Sequence, residues 1–231
     1  MKLSYEEELK RQSEMWLYET ERKNEGYKFV AGVDEAGRGP LAGPVFAACV
    51  ILPDDCIIDG INDSKKLSEK KREQLFEEIT KKAVCYSIAS IDEKTIDNVN
   101  ILNATHMAMN KAVDEMSVKP DYVLIDGNSI KNMTTLHETI VKGDAKSISI
   151  AAASILAKVS RDRFICQIAD KYPEYEFKKH KGYGTKVHTD ALKKYGPCEI
   201  HRKSFLKKIL GEQIWQQKKL EISERMPHVN I

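Results

Sequence analysis

Two apolar runs in this chain end abruptly in acid, and this feature constrains the fold more than any other. Phe29-Val30-Ala31-Gly32-Val33 runs into Asp34-Glu35, and Tyr122-Val123-Leu124-Ile125 runs into Asp126. Short apolar runs bounded by turn-forming residues mark buried strands. The first is followed by Gly37-Arg38-Gly39-Pro40-Leu41-Ala42-Gly43-Pro44, then by a second apolar run, Val45 to Leu52, stopped by Pro53-Asp54-Asp55. Two such runs across a turn-rich connection predict a hairpin, so at least part of the sheet is antiparallel. Further strands are expected over 84–91 and from Leu136 to Val141. Helical patterns lie between them. Ser68 reads as an N-cap before Glu69 to Lys82, with Leu75, Phe76 and Ile79 as the buried stripe. Residues 101–116 are helical through Leu102, Thr105, Met109, Val113 and Met116, and Pro120 breaks that helix. Residues 148–170 give the clearest helix, with Ile148, Ala152, Ile155, Val159 and Cys166 on one side. Strands with intervening helices indicate an α/β layer fold with a mixed sheet.

The chain has 231 residues and 42% hydrophobic content, enough to bury one domain's core. Residues 5–23 read as a charged helix anchored by Tyr5, Leu9 and Trp16, an appendage to that domain. The expected organisation is an N-terminal helical extension (1–28), a catalytic domain with a helical C-terminal part (29–206) and a C-terminal helical tail (207–231). The net charge of +2 does not by itself identify a nucleic-acid binder; the placement of the charges matters. No apolar stretch is long enough for a membrane span, and the charged N-terminus has no apolar signal core, so a cytoplasmic protein without membrane contact is expected. The cysteines (Cys49, Cys56, Cys85, Cys166, Cys198) are odd in number, widely spaced and without a C-x-x-C, unlike a zinc site or disulfide framework.

The acids are where chemistry would collect. Asp34-Glu35 and Asp126 follow apolar strands and precede Gly37 and Gly127, and Asp144 follows Gly143 just before the long helix. In α/β sheets, active sites gather where strands end. Converging carboxylates need a counter-charge to stay ionised, and hard divalent cations supply it through oxygen ligands. Two such ions about 4 Å apart would make a phosphodiester-cleaving site. An acid at a strand end also serves as a turn residue or helix cap, and the residues alone leave both readings open. Asp34 and Glu35 are adjacent, so in a regular strand they point to opposite faces; a bulge or turn must re-aim one of them if both are to converge.

The run Ala31-Gly32-Val33-Asp34-Glu35-Ala36-Gly37-Arg38-Gly39-Pro40-Leu41-Ala42-Gly43-Pro44-Val45 resembles the signature of bacterial ribonuclease HII. The resemblance continues through Asp63-Ser64-Lys65-Lys66-Leu67-Ser68, Leu124-Ile125-Asp126-Gly127, Lys142-Gly143-Asp144 and Ser154 to Asp162. It ends with His180-Lys181-Gly182-Tyr183-Gly184-Thr185 and His201-Arg202-Lys203-Ser204-Phe205, all in family order across roughly 29–206. The resemblance implies a ribonuclease H-like mixed five-stranded sheet flanked by helices, with a helical C-terminal part. It implies Mg²⁺ or Mn²⁺ as cofactor, two ions in the active complex, with Asp34, Glu35, Asp126 and Asp144 as the metal-binding and catalytic acids. The implied substrates are RNA–DNA hybrids and duplex DNA carrying single ribonucleotides, cut on the 5′ side of the ribonucleotide to leave 3′-hydroxyl and 5′-phosphate ends.

Only the 2′-hydroxyl distinguishes a ribonucleotide within a duplex. Gly37 and Gly39 permit close backbone approach, and Tyr183 offers a ring and a hydroxyl. The resemblance assigns recognition to Gly37, Arg38, Gly39 and Tyr183; on the residues alone, a turn and a core tyrosine explain them as well. Lys65 and Lys66, Lys158 and Arg161 on one helical face, and Arg202 and Lys203 are candidates for phosphate contacts, each also readable as plain surface. A monomer is expected. The alternatives are a ribonuclease HIII-like hybrid-only nuclease, a catalytically inactive nucleic-acid-binding relative, and a small-molecule phosphatase. Ribonuclease HIII typically carries Gly-Thr-Gly where this chain has Gly37-Arg38-Gly39, together with a larger N-terminal domain. The complete acid set argues against an inactive relative, and the glycine loop with its distal tyrosine against a phosphatase.

Overall fold

In the computed structural model, which describes residues 4–211, each acid-tipped apolar run becomes a strand of a single sheet. The strands are β1 (Val30–Ala36), β2 (Val45–Ile51), β3 (Cys85–Ile91), β4 (Tyr122–Asp126) and β5 (His137–Ile140), in the order β3-β2-β1-β4-β5. The hairpin is present: β1 and β2 are antiparallel, as are β2 and β3, whereas β1–β4 and β4–β5 are parallel. The mixed α/β sheet inferred from the sequence is therefore observed.

Helices α1 (Tyr5–Met15) and α2 (Leu17–Asn24) precede the sheet, and α3 (Glu69–Lys82), α4 (Glu93–Val99), α5 (Ile101–Asp114) and α6 (Ile148–Ile168) flank it. The short α7 (Phe177–His180), α8 (Lys186–Tyr195) and α9 (Lys203–Leu210) form the helical C-terminal part. On one face, Ala48 and Val50 meet Leu75 and Ile79 of α3 and Ile148, Ala152 and Ile155 of α6. On the other, Val33, Ala47, Cys49 and Ile51 meet Ala104, Ala108, Met109 and Val113 of α5. A third cluster, with Leu41, Ile165, Phe177, Leu192 and Leu206, joins the C-terminal helices to the turn after β1.

One glycine sets the closeness of these layers. A β-carbon on Gly32 would overlap the backbone of Ser149 and Ile150. Only glycine lets the first turn of α6 lie directly on β1, and that turn follows Asp144.

Several local readings shift. Strand β1 does not end in Asp34-Glu35 but includes both; its pairing with β2 continues through Asp34↔Ala48, Glu35↔Ala47 and Ala36↔Phe46. Helix α4 was not foreseen; Asp92 caps it, and Asn100 (φ 67°) separates it from α5. Leu102 is exposed because the buried face of α5 is centred on Ala104, Thr105, Ala108 and Met109. Tyr5 is no anchor either, being 74% exposed. Polar groups hold the N-terminal helices instead. Gln12 exchanges two hydrogen bonds with the Ile58 backbone. The buried Glu19 carboxylate accepts from Ser147 Oγ and from Ser149 N and Oγ at the start of α6. Helix α9 crosses the boundary expected at residue 206, and the tail expected over 207–231 lies, beyond Gly211, outside the described residues. Among the described residues, no helix is long and apolar enough to cross a membrane.

Candidate active site

Parallel pairing brings the strand-end acids together. Val33 is in register with Ile125, so the next residues, Asp34 and Asp126, emerge side by side. Strand β5 delivers the third acid. After it, Lys142 takes a left-handed conformation (φ 58°) and a tight turn over Gly143–Ala145 carries Asp144 toward the other two. Gly143 N donates to Asp126 Oδ1 at 2.6 Å and locks this turn to β4. One carboxylate oxygen from each of Asp34, Asp126 and Asp144 lies within 4.8 Å of the others.

Glu35 stands apart from this group. No bulge interrupts β1 at the hairpin register, so its side chain leaves on the opposite side of the strand from Asp34. It remains near enough to feel Asp126 and Lys65, and its Oε1 lies 3.3 Å from Arg38 Nη1. Of the acids the resemblance singles out, the structure brings three into one cluster and sets the fourth at its edge.

The electrostatics match a site built for cations. Burial, then the neighbouring Glu35 and Asp126, pushes the Asp34 carboxyl well above the usual carboxylate range. Burial also raises Glu35 and Asp144. Like charges held this close in a partly dry site favour protonation unless a cation neutralises them, and all-oxygen donors suit a hard divalent ion. Lys65, in a turn capped by Asp63, places Nζ 3.6 Å from Asp144 Oδ2. Loss of hydration pulls its ammonium pKa down, but Asp34 and Asp144 more than offset this.

Beside the acids, the loop between β1 and β2 rests on buried guanidinium groups. Arg161 and Arg202 were candidates for phosphate contacts; both are fully buried and face inward. Arg202 donates from Nε to Gly43 O, from Nη1 to Arg38 O and Pro40 O, and from Nη2 to Gly37 O. Arg161 donates to the carbonyls of Pro44, Lys181 and Ala42. A loop without regular pairing leaves its carbonyls unsatisfied, and here the arginines serve them. Gly37 has φ +100°, and a β-carbon there would collide with the Arg161 side chain, so this glycine accommodates the support beneath it.

Gly39 is open on its outer side. The nearest atom to a β-carbon built there is Tyr183 Cε1 at 3.7 Å. The Tyr183 ring is 42% exposed, so it is a surface ring and not a core one. Lys158 Nζ lies 5.6 Å from its centre and bonds Asp162 Oδ1 at 2.8 Å. Gly39, Tyr183, Lys158, Arg38 and Lys65 thus fall on the rim of the acid cluster or of the adjoining loop. The sequence gives no sign of His188, whose Nδ1 lies 2.9 Å from the Tyr183 carbonyl, or of its contact with His201 at 2.9 Å; a buried imidazole pair has no periodic signature.

Residues 31–208 match the family model for ribonuclease HII. The ribonuclease HII of Caldicellulosiruptor bescii is 61% identical over 196 residues, spanning 84% of this chain and 95% of that protein. The crystal structure of the ribonuclease H2 from Pyrococcus horikoshii OT3 superposes with a TM-score of 0.68 at 27% identity, covering 83% of this chain and 99% of that one. Bst-RNase HIII, solved in complex with Mn²⁺, shares the fold at a TM-score of 0.55 and 17% identity, over 86% of this chain and 71% of that one.

Proposed function

The chain belongs to the ribonuclease HII family, and from that premise we propose that it is an endoribonuclease that incises the 5′ side of single ribonucleotides embedded in duplex DNA and also cuts the RNA strand of RNA–DNA hybrids. The observation that carries this reading is the convergence of Asp34, Asp126 and Asp144 to within 4.8 Å beside an exposed glycine–tyrosine surface. Asp34, Asp126 and Asp144 would hold divalent ions, Mg²⁺ or Mn²⁺, with Glu35 completing the set from the edge. Held by these carboxylates, such ions would supply activation of a water and charge neutralisation at the leaving oxygen.

The chain's own residues orient the substrate. Arg38, beside Glu35, and Lys65, beside Asp144, offer exposed positive charge to phosphates near the acids. Gly39 lets a sugar edge approach the loop backbone, and the Tyr183 ring stands beside it to pack on that sugar. Lys158 lies over the same ring. The 2′-hydroxyl is then a recognition handle and not the nucleophile, so the products are a 3′-hydroxyl and a 5′-phosphate. Residues 29–206 would carry this activity as a cytoplasmic monomer.

The test is a DNA duplex with one ribonucleotide, incubated with the chain and Mg²⁺ or Mn²⁺, with product ends mapped by mass. Incision 5′ of the ribonucleotide is expected. A 2′,3′-cyclic phosphate, or equal cutting of the all-DNA duplex, would overturn the reading.

A further inference from the structure

The backbone of Tyr183 is held by a chain of hydrogen bonds whose direction the geometry determines. The Tyr183 carbonyl can only accept, and His188 Nδ1 lies 2.9 Å from it, so Nδ1 carries the ring proton. His188 Nε2 is then a bare acceptor in the neutral ring. His201 Nε2 lies 2.9 Å away. Two unprotonated nitrogens would repel at this separation, so His201 Nε2 carries its ring's proton and donates it. His201 Nδ1 is left as an acceptor, and the Cys198 amide donates to it at 2.9 Å. The links run one way: Cys198 N–H to His201, His201 to His188, His188 to the Tyr183 carbonyl.

Only two neutral rings satisfy this chain, and their surroundings keep them neutral. His188 and His201 are 0% and 1% exposed. Phe177 packs against both rings, Tyr175 lies 4.9 Å from His201, and His180 stacks on His188 at 4.6 Å. His180 is itself committed, with Nε2 on the Tyr175 carbonyl and Nδ1 accepting from Gly182 N. The segment they hold is also docked from the other side, where Leu41 N donates to Gly182 O at 2.8 Å. The relay therefore ends at the backbone from which the Tyr183 ring projects beside Gly39.

We propose that His188 and His201 are positioning residues for Tyr183: their one-way relay fixes the ring that meets the ribonucleotide. This rests on the proposed role of Tyr183 in reading the sugar. Neither histidine touches the acid cluster, so neither is a catalytic residue.

The relay is tested on the unaltered full chain by long-range ¹H–¹⁵N NMR at neutral pH. His188 should be protonated at Nδ1 and His201 at Nε2. An imidazole free in water prefers the Nε2 proton, so the His188 tautomer is not a default outcome. An Nε2-protonated or cationic His188 overturns the relay, and no variant is needed to see it.

Coupling to Tyr183 is tested by kcat/KM on the single-ribonucleotide duplex, corrected for the folded fraction. His188→Asn keeps an amide N–H near the Nδ1 position, whereas His188→Gln does not. His188→Gln should lose about tenfold, and His188→Asn should recover most of it. In a Tyr183→Ala background neither change should lower the value further, since a residue acting through Tyr183 has nothing left to position. Equal losses for Asn and Gln, or losses that simply add to that of Tyr183→Ala, overturn the positioning role. If the unaltered chain fails to cut the ribonucleotide duplex, the proposed function falls and the positioning role with it, while the tautomers still report on the relay.

Discussion

Replacing Arg202 tests whether the loop beside the acid cluster is held from beneath. The guanidinium serves four carbonyls, those of Gly37, Arg38, Pro40 and Gly43. A lysine ammonium is a single point. Placed where Nη1 stands, it would keep Arg38 O and Pro40 O, 3.0 and 2.8 Å from that atom. It would abandon Gly43 O, reached by Nε at 2.8 Å, and Gly37 O, reached by Nη2 at 2.6 Å. Each buried carbonyl left without a donor costs about 1–2 kcal/mol, so Arg202→Lys should destabilise the protein by about 2–4 kcal/mol. For a chain of this size that lowers the melting midpoint by roughly 5–15 °C. Burial and the neighbouring Arg161 push the Arg202 pKa down to about 9, so the group is charged at neutral pH and its bonds are charge-assisted. Since Gly37 and Gly39 belong to the released loop, cleavage per folded molecule should fall as well. The assay is a thermal melt beside a cleavage assay run well below the lower midpoint. A loss under about 1 kcal/mol with unchanged cleavage would refute the argument, because a loop held by other contacts would not notice the missing fork.

Other expectations follow from the same geometry. Gly32→Ala places a methyl inside the backbone of Ser149 and Ile150, so α6 must shift; a cost of about 3 kcal/mol or more is expected, with weaker divalent-metal binding because Asp144 moves with that helix. Calorimetry with and without Mn²⁺ checks both parts. A divalent ion at about 100 times its Kd should add about 2.7 kcal/mol to the stability of the unaltered chain. Asp126→Asn should lose most of that gain and most of the cleavage; an undiminished metal-induced rise in the melting midpoint would show that the ion binds elsewhere. For the buried imidazoles, burial lowers His188 to about 4 and His201 to about 3, both below the ordinary imidazole value of 6.5. The unfolded chain therefore takes up protons first as pH falls. Stability from these groups is complete above about pH 6.5 and declines on acidification toward their folded values, by about 2–3 kcal/mol each near pH 4. Urea melts at pH 7 and pH 4.5 should show this, with a shallower pH dependence in His201→Gln; identical dependence in both proteins would remove His201 as a cause.

Local structure is written plainly in the chain. Ser68 is the N-cap of α3, and that helix runs from Glu69 to Lys82 as its stripe and cap predicted, because capping and amphipathic spacing are decided within a few residues. The strands that carry Asp34 and Asp126 were equally legible, since an apolar run stopped by turn residues has few other solutions. The resemblance then named four acids, three of which, Asp34, Asp126 and Asp144, lie within 4.8 Å of one another.

What the sequence left undecided is where contacts span long stretches of chain. Glu35 could join Asp34 on one side only through a bulge or turn, which the sequence does not decide; β1 stays regular through Ala36 because β2 offers it partners, and a regular strand turns alternate side chains apart. Arg161 and Arg202 looked like surface cations; only the folded loop shows carbonyls with no other donor, and Arg202 reaches Gly37 across 165 residues. Glu19 looked like one charge among many in an appendage, yet it ends up bonded to Ser147, 128 residues away. Periodicity and propensity act over one or two turns of chain and therefore name the elements. Which polar side chain is buried, and what it must satisfy there, is set by the backbone groups that packing leaves unpaired, and these exist only once the layers have met.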